Sequence, residues 1–241
     1  LAAGFVATEN GVPVMTAEGT PEWRIALGKP EQFEILDTWY TMGLKGTGST
    51  DYEAHSVFIP REHTFAFSDQ APRAGSIWKK PSHLLRKMSG VPLGVARDAI
   101  DRAIDILATK TDRLTGLAYK ESEIKQEMIA RAEGKLGAAR AYVMESLTNE
   151  WTRLEADEPL TGRERAAVAI SRQQAFQMGR EVTQMMFDLV GGDAIYASNR
   201  FERLLRDMNT ACQHIVAQEK TLQGPGALLL GSANAQSQLM L

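Results

Sequence analysis

The chain has 241 residues, 44% of them hydrophobic and 24% charged, and a formal net charge of −3. That mix belongs to a folding globular protein long enough for one large or two ordinary domains, and it excludes a broad cationic field for a nucleic-acid backbone. No run approaches the ~20 consecutive apolar residues of a membrane-crossing helix, and a single cysteine, Cys212, excludes an internal disulfide and a thiolate metal centre, which points to a reducing, cytoplasmic setting.

Leu1 is followed by neither a basic segment nor the apolar core of a targeting peptide, so the start reads as a cut inside a larger protein. Up to about Pro72 the chain has strand and turn chemistry. Phe5 to Thr8 precedes the turn signal Glu9-Asn10-Gly11, and short runs follow at Glu22 to Ala26 and Phe33 to Leu36. Glu53 to Ile59 alternates in side-chain type and predicts one more strand, ended by Pro60. A Pro/Gly/Ser-bearing linker is expected over Gln70 to Ser82.

Beyond the linker the apolar period changes from two to about 3.6. Ala96, Ala99, Ile100, Ala103, Ile104 and Leu107 make one helical stripe; Ile129, Ala132, Leu136, Ala139, Val143 and Leu147 make a second. A third helix is predicted from a Thr161 N-cap, with Glu164 at the capping-box position, through Val182, Met185, Met186 and Leu189 to Gly191-Gly192. A fourth is predicted over Ser198 to Lys220, and the tail from Gln223 reads as an arm or a short last helix. The expected fold is α+β: the end of a β-barrel-like domain (residues 1–75), then an antiparallel four-helix bundle with a tail (residues 76–241).

Several stretches, in order, resemble one family. Asp37-Thr38-Trp39, Gly43-Leu44-Lys45-Gly46-Thr47-Gly48-Ser49-Thr50-Asp51 and Val57-Phe58-Ile59-Pro60 are similar to the end of the middle β domain of the acyl-CoA dehydrogenase superfamily. Gly90-Val91-Pro92-Leu93-Gly94 resembles the start of that family's C-terminal bundle. Leu189-Val190-Gly191-Gly192 and Arg203-Leu204-Leu205-Arg206-Asp207 resemble its flavin-phosphate turn and the helix after it. The dehydrogenases of the family need a carboxylate base just after the Arg-Asp pair or on the first bundle helix. Here those places hold Met208-Asn209-Thr210-Ala211-Cys212-Gln213-His214-Ile215 and Leu84-Leu85-Arg86-Lys87-Met88, and neither contains an acid.

Arg206-Asp207 followed by His214 resembles instead the flavin-dependent monooxygenase branch, which includes para-hydroxyphenylacetate hydroxylase, dibenzothiophene monooxygenase and steroid-ring hydroxylases. The resemblance implies reduced FMN or FAD delivered by a separate flavin reductase, oxygen activation on that flavin, and transfer of one oxygen atom to a small organic substrate. It also implies a homo-oligomer, a dimer or tetramer, with no nucleic-acid or membrane partner. His214 is the candidate catalytic group, since an imidazole hydrogen-bonds or takes a proton near neutral pH; the competing reading is a satisfied core histidine on the last helix. Val190, Gly191 and Gly192 are the candidate phosphate turn and equally a helix cap. Arg113 is a phosphate ligand, reaching a neighbouring subunit's flavin, or a solvated loop arginine. Trp39 covers a flavin face or closes the β core, and Thr47 lines the cofactor or belongs to a glycine-driven turn. Arg203, Arg206 and Asp207 read as a structural ion-pair cluster. The competing functions are an FAD-dependent acyl-CoA dehydrogenase and a non-catalytic assembly protein.

Overall fold

The structure is a computed structural model that describes residues 1–16, 19–66, 69, 73–79 and 83–232, the side chains of His83 and Leu84 excepted. The chain divides into two compact units. The first comprises Leu1–Tyr40 and Lys45–Pro81, the second Thr41–Leu44 and Ser82–Leu241. Of the expected linker, residues 70–72 and 80–82 lie outside the described residues.

In the first unit β1 (Ala2–Val6) pairs antiparallel with β4 (Trp23–Leu27), and β4 with β7 (Thr64–Phe65). The short strands β2 (Thr8–Glu9) and β3 (Val12–Pro13) close on Asn10 and Gly11 at φ 51° and 79°, the pair of left-handed residues that a tight hairpin needs. β5 (Glu34–Leu36) pairs with β6 (Asp51–Glu53), and the Phe33 and Tyr52 rings meet edge-on at 5.4 Å. The strand expected over Glu53 to Ile59 does not form: pairing stops at Glu53, and Ser56 turns to φ 52°, which breaks the extended alternation.

The second unit is helical: α1 (His83–Arg86), α2 (Gly90–Thr109), α3 (Glu123–Glu155), α4 (Gly162–Val190), α5 (Arg200–Ala211) and α6 (Gln223–Leu229). Side-chain pairs fix their directions. Along α3 and α4, Lys125 meets Leu189, Lys135 meets Glu181 and Arg153 meets Glu164, so the two helices run antiparallel. The predicted stripes supply most of the core, except that Ile104 is exposed and Ile129 and Leu147 are half-buried. Ala96, Ala99, Ile100 and Ala103 of α2 are wholly buried against Ala132 and Leu136 of α3 and Val182, Met186 and Leu189 of α4. Small residues on α2 let the helices approach, and each large side chain so buried contributes about 1.5–3 kcal/mol. Among the described residues no helix is long and apolar enough to cross a membrane.

The capping box on α4 is present as predicted: Thr161 Oγ1 accepts from the Glu164 N–H at 3.2 Å, and Glu164 Oε2 accepts from the Thr161 N–H at 2.7 Å. Its far end is capped by Gly191 at φ 72°, whose N–H donates to the Phe187 carbonyl. Asn199 caps α5 through Phe201 N–H. That helix ends at Ala211 rather than Lys220, and two 3-10 turns, Ile215–Ala217 and Glu219–Leu222, lead into α6, which packs on α4 with Gly224 and Pro225 buried.

A buried polar layer joins α1, α3 and α4. Arg86 is ion-paired to Glu150 at 2.8 Å and donates to Ser146 Oγ at 3.0 Å. Arg172, only 2% exposed, lies near Arg86, and its Nε and Nη1 have no hydrogen-bond partner among the described residues. Burial first, and the Arg86 charge second, push its guanidinium below the usual arginine range.

Candidate functional site

Three packing contacts stop α5 early and set the position of His214. Val216 and Ala217 are buried with Phe176, Met208 and Ala211, which pulls the chain off the helix axis. Cys212 Sγ donates to the Phe176 carbonyl at 3.6 Å. His214 takes an extended conformation, φ −60° and ψ 140°, and its Nδ1 accepts from the Val216 N–H at 3.3 Å. His214 is therefore neither helical nor a core residue; it is an exposed cap of a 3-10 turn. An Nδ1 that accepts must keep its lone pair, so the neutral ring carries its proton on Nε2 and presents that N–H as a donor.

The remaining candidates of the helical unit gather at another place. Arg113 lies exposed in the turn between α2 and α3, built on Asp112, whose Oδ1 accepts from Leu114 N–H at 2.9 Å, Thr115 N–H at 2.8 Å and Thr115 Oγ1 at 3.0 Å. Those donors, with the Lys125 charge adding to them, hold the Asp112 carboxyl below the usual carboxylate range. Val190 is buried, whereas Gly191 and Gly192 are exposed, and a Cβ on either glycine would meet no atom within 4 Å. The turn is uncovered on its side-chain face, although the Gly191 N–H is committed to the Phe187 carbonyl.

Two lysines tie these elements into one end of the bundle. Lys110, at the end of α2, is ion-paired to Asp193 in the 3-10 turn Gly191–Ile195. Lys125 Nζ donates to the Leu189 carbonyl at 3.2 Å and sits 4.3 Å above the Tyr119 ring. Sequence reasoning missed both lysines and Asp112. The aspartate had a signal, an Asx turn two and three residues ahead of its donors; the lysines act through tertiary contacts and had none. An exposed glycine turn with the Lys125 ammonium fixed beside it is a surface that an anion can approach.

His214 is not part of that cluster. Cys212 touches Phe176, and Gly191 follows Phe176 by 15 residues, about 22 Å of helix at ~1.5 Å per residue.

In the first unit Trp39 is half-buried just beyond β5, and Thr47 is exposed in the 3-10 turn Lys45–Thr47, where its Oγ1 accepts from Ser49 Oγ at 3.1 Å. The segment between them, Thr41–Leu44, is part of the helical unit. Leu44 N–H donates to Asp207 Oδ1 at 2.6 Å, Arg206 Nη1 donates to the Met42 carbonyl, and a Cβ on Gly43 would lie 2.3 Å from the Arg206 carbonyl oxygen. Arg203 pairs with Asp207 and Arg206 with Glu202 along the helix. The Arg-Asp cluster is thus a clamp for the Met42–Leu44 segment.

Comparison with known proteins bears on this arrangement. The family described as acyl-CoA dehydrogenase, C-terminal domain, matches residues 87–219. Indole-3-acetate monooxygenase of Acinetobacter baumannii is 27% identical over 216 residues, 89% of this chain and 55% of that protein. The oxygenase component of FADH2-dependent resorcinol hydroxylase from Rhizobium sp. is 23% identical over 218 residues, 83% of this chain and 53% of that protein. The crystal structure of 3-HSA hydroxylase from Rhodococcus sp. RHA1 superposes with a TM-score of 0.83 at 20% identity, covering 95% of this chain and 62% of that one. The chain spans about half the length of the curated relatives it matches. With more than half of its residues matched by the family, the chain belongs to the acyl-CoA dehydrogenase C-terminal domain family.

Proposed function

We propose that this chain is part of the oxygenase component of a two-component, flavin-dependent monooxygenase, a cytoplasmic homo-oligomer that receives reduced FMN or FAD from a separate reductase. The observation that carries this reading is the segment after Arg206-Asp207, residues 208–215, which holds an exposed imidazole oriented through its Nδ1 and contains no carboxylate. Removing an α-proton from a thioester needs a base that this segment lacks. A monooxygenase needs a hydrogen-bonding group that holds or moves one proton, and His214 is that group.

The reduced flavin, when bound, supplies the electrons that split oxygen between the substrate and water. The rest is the work of the chain. Nε2 of His214 donates to, or takes a proton from, the reacting groups, and its geometry is fixed by the Nδ1 contact to Val216. Trp39 and Thr47 are assigned to the flavin ring and its polar edge. Val190, Gly191, Gly192 and Arg113 are assigned to phosphate, the side-chain-free glycines giving close approach and the guanidinium acting as donor. The separation of about 22 Å along α4 exceeds the reach from a flavin ring to its own phosphate along the ribityl chain. Each chain then serves two flavins, His214 at one and Arg113 with the glycine turn at the other, which requires at least a dimer. The substrate is a small organic molecule, and the relatives named for indole-3-acetate and resorcinol favour an aromatic one.

The test is anaerobic mixing of the intact protein with reduced FMN or FAD, followed by exposure to oxygen. The protein is expected to bind the reduced flavin and slow its reoxidation well below the free-flavin rate. Reoxidation at the free rate, together with bleaching of bound FAD by an acyl-CoA, would restore the dehydrogenase reading.

A further inference from the structure

The glycine turn poses an electrostatic problem. It sits at the C-terminal end of the 29-residue α4, where unpaired carbonyls and the aligned peptide dipoles place about half a negative charge. Asp193 and Asp112 stand at the same end, and Lys110 is already committed to Asp193. A phosphate approaching this turn would be repelled unless another cation offsets the carbonyl end.

Lys125 is placed to do so. It reaches across from the first turn of α3, and its Nζ satisfies the Leu189 carbonyl, one residue before Val190. Tyr119 holds the ammonium from one side at 4.3 Å, so the charge is fixed rather than sampled by a free side chain. The same ammonium acts on Asp112, the carboxylate that shapes the Arg113 turn. One side chain therefore couples the two elements assigned to phosphate.

We propose that Lys125 is the positioning residue of the phosphate site: it cancels the negative end of α4 and holds the Arg113 turn against the Gly191-Gly192 turn, so that the site takes a flavin phosphate. This inference rests on the flavin reading above. Lys125 need not touch the phosphate; it sets the field and the geometry in which Arg113 and the open glycine turn receive it.

The experiment compares reduced FMN with reduced riboflavin, which has the same ring and no phosphate. Dissociation constants are measured anaerobically on the intact wild-type protein and on Lys125→Met and Lys125→Arg. The wild type should prefer FMN. Lys125→Met should lower that preference about tenfold while riboflavin binding stays within about twofold, and Lys125→Arg should retain most of it. Should Lys125→Met misfold by circular dichroism, the wild type alone still decides: its FMN preference must fall as salt rises from about 0.01 to 0.15 M, because the term is electrostatic and screened. An unchanged FMN preference in Lys125→Met, an equal loss for both ligands, or a salt-independent preference in the wild type would overturn the role of Lys125. A wild type that binds neither flavin would overturn the monooxygenase reading itself and this inference with it.

Discussion

The local backbone explains how His214, the proposed catalytic group, is presented. The Val216 N–H donates to Nδ1, which orients the ring and leaves Nε2 as its outward-facing nitrogen. His214→Ala is expected to leave the far-ultraviolet circular dichroism unchanged while most oxygen uptake becomes uncoupled from product, measured as the ratio of product to oxygen consumed. Unchanged coupling would remove His214 from the reaction. A second residue-scale prediction concerns Gly43, where an added Cβ would meet the backbone of Arg206 and Asp207 rather than a yielding side chain. Gly43→Ala should destabilise the protein by about 1–3 kcal/mol in urea denaturation, by forcing the Met42–Leu44 segment off α5.

At the level of elements, the α4 capping box links stability to pH. The Thr161 backbone N–H first, then its hydroxyl and Arg153, hold the Glu164 carboxyl below its ordinary value of 4.5. A depressed carboxyl contributes stability that is complete above that ordinary value and is lost as pH falls through the depressed one. Thr161→Ala should cost about 1 kcal/mol at pH 7, and the gap in melting temperature from wild type should narrow near pH 3. The buried polar layer makes the opposite kind of prediction. Arg172 has two unpartnered nitrogens, so Arg172→Met is expected to be neutral or stabilising, whereas Glu150→Gln strips Arg86 of its counter-charge and should cost about 3 kcal/mol or more by urea denaturation.

α2, α3 and α4 were legible in the sequence because each carries a long 3.6-residue stripe, and α4 has chemical bounds as well: Thr161 and Glu164 before it, Gly191 after it. Where the stop lies in packing, the sequence misleads. Nothing between Thr210 and His214 breaks a helix, yet burial of Val216 and Ala217 against Phe176 ends α5 at Ala211. Glu53 to Ile59 has strand composition, but Ser56 at a left-handed φ turns the chain, an event that a serine does not advertise. In the same way the glycine turn and Arg113 were readable as motifs, while Lys110 and Lys125, which join them, were not, since the pairing spans helices far apart in sequence.

For the molecule as a whole, the separation of His214 from the glycine turn predicts assembly: light scattering at micromolar concentration should give at least a dimer, and a monomer would break the two-flavin arrangement. The helical unit also contains its own reporter. Cys212 is the one thiol in the chain, buried beside Phe176, and burial raises its pKa further from the reactive thiolate. An alkylating reagent added to the native protein can modify it only during openings that detach the segment after α5 from α4. The rate of that single-site labelling reads out, without any engineered probe, how often the strip of chain that carries the histidine comes loose.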